Sequence, residues 1–155
     1  MSFREAVDAG IVFPASVLCD KDDDGTIAFT LPLEILSEMN QRDHWAVRYR
    51  RASRQKRVAH THTLKYAHRI RERVRKDSAL CLVVRLVRVM RKRQRPFDSD
   101  NLQSGFKAVR DGIAWALGVD DGSDRIDWQC DQERGTGKEM VRIVIEEAGK
   151  EYVHG

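Results

Sequence analysis

The chain has 155 residues, 41% of them apolar and 34% charged, with a formal net charge of +4. That is about one domain's worth, enough to bury a core without disulfides or a structural metal. Its odd, scattered Cys19, Cys81 and Cys130 argue against a disulfide scaffold or a cysteine zinc site, and its longest apolar run, Ala79 to Val84, is far too short for a membrane span.

Residues 1–25 are expected to form an N-terminal arm. The stretch MSFREAVDAGIVFPASVL carries Glu5 and Asp8 within its only apolar part, a poor secretion signal, so the expected location is cytoplasmic. Asp20, Asp22, Asp24 and Gly25 copy the first half of an EF-hand loop, but Leu31 stands where the closing bidentate Glu belongs. The segment reads instead as an acidic turn.

Thr26 to Leu31 reads as a strand stopped by Pro32, and Leu33 to Asn40 as a connector. From Asp43 to about Lys76 the composition predicts helix. Leu64, Ala67, Ile70 and Val74 step by three and four in its second half, and the β-branched residues between Arg57 and Thr63 are the expected place for a break. Ala79 to Met90 is apolar and β-branched, as expected of a central strand buried on both faces. Asn101 to Leu117 predicts one helix, with Leu102, Phe106, Val109, Ile113 and Leu117 on one face and Gly118 ending it. Asp120 to Asp124 is an acidic loop. Arg125–Arg134 and Lys138–Glu147 alternate as strands, and Gly135-Thr136-Gly137 between them is a hairpin signal. The expected fold is α+β: a single domain over residues 26–150, with helices packed on a mixed β-sheet, and a short tail at 151–155.

The charge is unevenly distributed. Residues 42–95 hold 19 of the 28 Lys and Arg residues but only 3 of the 24 acids, a net +16 against −12 elsewhere. Arginine dominates, and its planar fork binds phosphate through two hydrogen bonds. A solvated helix of mixed charge would carry acids at i±4, which are nearly absent here. The segment therefore predicts a polyanion partner, nucleic acid being the usual one. Arg50, Arg51, Arg54, Lys56 and Arg57, with Arg91, Lys92, Arg93 and Arg95, are the candidate DNA-backbone contacts.

Beside this basic stretch lies PFDSDNLQSGFKAVRDGIAWALGVDDGSD, residues 96–124. In an extended segment Asp98 and Asp100 would point to the same side, just ahead of a helix. The acidic pair Asp120-Asp121 follows that helix. Lys107, Ser104 and Asp111 are expected on the helix face away from the apolar stripe. Acids within a surface that binds nucleic acid oppose binding unless they hold a cation, and Mg²⁺ takes one or two carboxylates together with phosphate oxygens and water. That pattern predicts a metal-dependent phosphodiesterase. Plainer roles stand beside it: Asp100 as helix N-cap with Gln103 completing a capping box, Lys107–Asp111 as an i,i+4 pair, and Asp120-Asp121-Gly122 as a turn.

On Asp98-Ser99-Asp100-Asn101-Leu102, Lys107, Asp111-Gly112-Ile113 and Asp120-Asp121, the sequence resembles the RusA family of Holliday-junction resolvases, common in phages and prophages. Leu31-Pro32, Asn40 and His44-Trp45 before an arginine-rich helix agree more loosely. The resemblance implies a small α+β homodimer that binds four-way DNA junctions and cuts them symmetrically with Mg²⁺, Mn²⁺ being a possible substitute. It makes Asp98, Asp100 and Asp121 the metal-binding acids, Asp120 an additional ligand, and Lys107 the catalytic ammonium. In family members with the shortest spacing the lysine stands three residues after the Asn, where this chain has Ser104; Lys107 lies one turn further on. A non-catalytic DNA-binding module and a flap or fork nuclease using the same residues are the competing readings.

Overall fold

The computed structural model describes residues 25–37 and 42–148. The acidic turn before Gly25, Cys19, Asn40 and the 151–155 tail lie outside them. Within the described residues the elements run β1 (Ile27–Leu31), α1 (Trp45–Tyr66), α2 (His68–Lys76), β2 (Leu82–Met90), α3 (Ser99–Gly105), α4 (Lys107–Leu117), β3 (Ile126–Arg134) and β4 (Met140–Glu147).

The apolar run LVVRLVRVM becomes β2, with every residue but Arg85 buried. A strand apolar on both faces is most stable in a sheet interior, and β2 has a neighbour on each side. The sheet order is β1-β4-β2-β3, with β4 antiparallel to both β1 and β2 and β3 parallel to β2.

The expected hairpin does not form. β3 and β4 both pair with β2 and lie on opposite sides of it. The connection through Gly135-Thr136-Gly137 therefore passes over the end of β2. Gly135 donates its N–H to Met90 O at 2.7 Å, and a Cβ there would stand 2.6 Å from Val89 Cγ1. The glycine serves a close crossing rather than a tight turn.

The helices cover one face of the sheet. Phe29 and Leu31 of β1, Leu82, Val84 and Leu86 of β2, and Val141, Ile143 and Ile145 of β4 alternate toward them. They meet the predicted stripe Leu102, Phe106, Val109, Ile113 and Leu117, with Ala59, Ile70 and Val74 from α1 and α2. The strand period of two and the helix period of 3.6 thus converge on one core. Each large side chain in it contributes about 1.5–3 kcal/mol through burial. The architecture is α+β, a mixed four-stranded sheet with its helices packed on it. No helix among the described residues is long and apolar enough to cross a membrane.

Both long helices are divided, the first at a position other than the expected one and the second where no break was expected. The first breaks at Ala67 (φ −115, ψ 23), not between Arg57 and Thr63. Thr63 is accommodated because its hydroxyl donates to Ala59 O at 2.7 Å, and the bend at buried Ala67 turns Ile70 and Val74 into the core. The expected single helix Asn101–Leu117 begins two residues earlier and divides at Phe106. The Phe106 N–H is drawn to Ser104 O as well as Leu102 O. The turn tightens around Gly105, the weakest helix former in that stretch.

Candidate active site

The segment carrying Asp98 is held from below by a buried charged network. Arg88 falls on the inward-facing phase of β2, after Leu82, Val84 and Leu86. Its side chain and that of Glu139 are each 1% exposed, and Arg88 Nε lies 2.5 Å from Glu139 Oε1. The Arg88 guanidinium also lies 3.7 Å from the centre of the Phe97 ring. Gln132 pairs with Arg88 in the sheet register. Its side-chain amide accepts from Phe97 N at 3.0 Å and donates to Phe97 O at 2.6 Å. These contacts fix the backbone immediately before Asp98.

Asp98, extended at φ −68 and ψ 169, is the N-cap of α3 and accepts from Asn101 N at 2.9 Å. Asp100, expected as the cap, lies inside the first helical turn instead. Helical rather than extended backbone separates the two acids, so the strand-type alternation that would point them to one side does not apply. Asp100 is exposed, with no hydrogen bond or ion pair among the described residues.

The loop after α4 returns to the start of that helix. Gly118 adopts the left-handed conformation at φ 72, its N–H bonding Trp115 O while the Val119 N–H bonds Ala114 O. This is a Schellman turn, for which glycine carries no Cβ penalty. The chain then runs back along α4, and Trp128 Nε1 of β3 donates to Asp121 O at 3.0 Å. Within α4 Lys107 Nζ stands 3.6 Å from Asp111 Oδ1, and the returning loop sets Asp121 Oδ2 3.9 Å from it. Asp120 faces its own turn, where Oδ1 accepts from Gly122 N at 3.1 Å.

Ser104, in the place of the shorter-spaced lysine, donates to Asn101 O at 3.1 Å within its own helix. The ammonium of this region is therefore that of Lys107. Burial pushes the Cys130 thiol up in pKa, with the Arg110 charge opposing the shift.

Carboxylate oxygens are the donors Mg²⁺ prefers, and Asp98, Asp100 and Asp121 supply that type. Their side chains do not close into a cage: among the described residues no group of three or more His, Cys, Asp or Glu is placed to hold a metal. Asp121 instead faces a cation of the protein itself, the Lys107 ammonium.

Most of the basic candidates are solvent-facing. Arg50, Arg54, Lys56 and Arg57 on α1 are exposed, as are Arg91, Lys92, Arg93 and Arg95 on the loop between β2 and α3. Arg51 is half-buried and paired with Asp43 at 3.1 Å, and Lys56 also lies over the Trp115 ring. Sequence reasoning missed Arg88, Gln132, Glu139 and Trp128. The available signal was Arg88, a cation on the apolar phase of a central strand, which requires a buried partner. No protein-family model matches the chain, and no curated protein matches it.

Proposed function

We propose that this protein is a Mg²⁺-dependent, structure-specific endonuclease that cuts branched DNA, four-way junctions foremost, as a homodimer of the RusA type. The observation that carries the reading is the placement of Lys107 between Asp111 and Asp121, on the helix pair opened by Asp98-Ser99-Asp100-Asn101 and adjoining a +16 segment. Asp98, Asp100 and Asp121 would hold the ion, with Asp120 beside them. When bound, Mg²⁺ supplies Lewis-acid polarisation of the phosphodiester. Lys107, paired with Asp111 and free to exchange partners, would neutralise charge developing on the phosphoryl oxygens. The exposed arginines of α1 and of the loop 91–95 grip the backbone, each phosphate contact adding about 0.9 to the log–log salt slope.

The test is cleavage of a synthetic four-way junction beside a linear duplex of matching sequence, each with Mg²⁺ and with EDTA. The expected result is Mg²⁺-dependent nicking of opposed strands in the junction only. Asp100→Asn should abolish it; full cleavage by that variant would overturn the site assignment. A non-catalytic DNA-binding module is the second reading, favoured by the open arrangement of the acids. It predicts tight, salt-sensitive binding with no cleavage at any divalent metal.

A further inference from the structure

Beside the Lys107 cluster, α1 and the α3–α4 pair line an open cavity of about 470 Å³. Its size is that of a small-molecule site. Ala52, Gly105 and Ala108 give its lining an apolar part, interrupted by Gln55 and Ser104; Arg48 and Tyr49 reach it from α1, and Lys107 and Asp111 from α4. Tyr49 is 69% exposed, and Trp45, one turn earlier on the same helix, is 71% exposed. Residues four apart share a helix face, so two aromatic rings stand open along the most basic helix of the molecule. Neither ring serves the core. Exposed aromatics among arginines form the platform on which unpaired bases stack in single-stranded nucleic acid sites. The apolar part of the lining suits a base better than a phosphate, and the Lys107 ammonium suits the phosphate attached to it.

We propose that this cavity takes one unpaired nucleobase, stacked on Tyr49, from the strand whose phosphodiester faces Lys107, with Trp45 supporting the neighbouring base. The proposal rests on reading the Lys107 cluster as a site that acts on DNA, and it adds that the strand is engaged with a base out of the duplex. Such a pocket would give a base preference beside the cut, and a branch point would be favoured because its bases unstack most readily.

The test needs neither metal nor cleavage. In EDTA, the affinity of the full chain for a fluorescein-labelled oligothymidylate is compared by anisotropy with that for an abasic strand of equal length and charge. Stacking contributes about 1–3 kcal/mol per base, so the thymidylate should bind at least about fivefold tighter. Tyr49→Ala should reduce the difference, the double change Trp45→Ala with Tyr49→Ala should remove it, and Tyr49→Phe should keep it. Equal affinity of the wild-type chain for both strands, binding to neither, or a difference left undiminished by Tyr49→Ala would each overturn the proposal. Junction cleavage without this base dependence would remove the pocket and leave the nuclease. Base-dependent binding without cleavage would do the reverse.

Discussion

Arg88 and Glu139 meet at 2.5 Å with both side chains 1% exposed, whereas Lys107 lies 3.6 and 3.9 Å from Asp111 and Asp121 with its own side chain 72% exposed. The two regions use the same kind of charges and lie at opposite ends of the segment around Asp98. Burial separates their roles. The inner pair is desolvated and further tied by Gln132 and Phe97, so its charges cannot be lent to a ligand without unfolding the site. The outer cluster keeps its water and can exchange partners with little loss of stability. One holds the backbone that presents the acids, and the other remains available for chemistry.

The sharpest way to break this comparison is Glu139→Ala. It strands the Arg88 guanidinium in the core and should cost about 3–5 kcal/mol, read as a fall in the urea midpoint. The double change Arg88→Met with Glu139→Leu should recover much of that loss, and a double variant no more stable than Glu139→Ala would contradict the account. Next comes the helix packing behind the outer cluster. Gly112 lies where α4 crosses α1, and a Cβ there would fall 2.3 Å from Lys56 O. Gly112→Ala should therefore destabilise by about 1–3 kcal/mol through overpacking, again by urea titration. Lys107→Met should change stability by less than about 1 kcal/mol while lowering junction cleavage about 10²–10³-fold. A large loss of stability in that variant would show the outer cluster to be structural.

The smallest effect concerns His60, stacked on Trp115 at 3.6 Å between ring centres. Burial, then Arg71 and Lys56, hold its pKa below the usual 6.5. The unfolded chain thus binds the proton more readily. The His60 contribution is fully present above pH 6.5 and is lost as pH falls from there toward the lowered folded value. His60→Gln should flatten that part of a stability–pH profile; an unchanged slope would remove His60 from it.

Much of the site was legible because its signals are local. DSDN before an apolar 3.6-residue stripe announced a helix start, and the stripe Leu102 to Leu117 is buried as expected. Gly118 ended the helix as its freedom at positive φ requires. The N-cap lies two residues before the expected one: Asp98 and Asp100 are both competent caps, and Asp98, next to the Phe97 backbone that Gln132 holds, takes the role. The buried partner of Arg88 is 51 residues away, beyond any spacing rule. Asp121 was expected to join Asp98 and Asp100, yet its contact in the structure is with Lys107, set by the return of the loop and its anchor on Trp128.

The sequence by itself determined the charge partition, the buried β2 strand, the apolar face of α4 and the α+β class, since each follows from composition or from periods of a few residues. The tertiary structure alone decided that β3 and β4 flank β2 instead of pairing with each other. Gly-Thr-Gly permits a hairpin and a crossing alike, and the choice goes to the arrangement that gives β2, apolar on both faces, a neighbour on each edge. It likewise decided that Asp121 joins Asp111 at the lysine: the Asp111 pairing follows from helical spacing, but Asp121 depends on how far a loop returns along the helix.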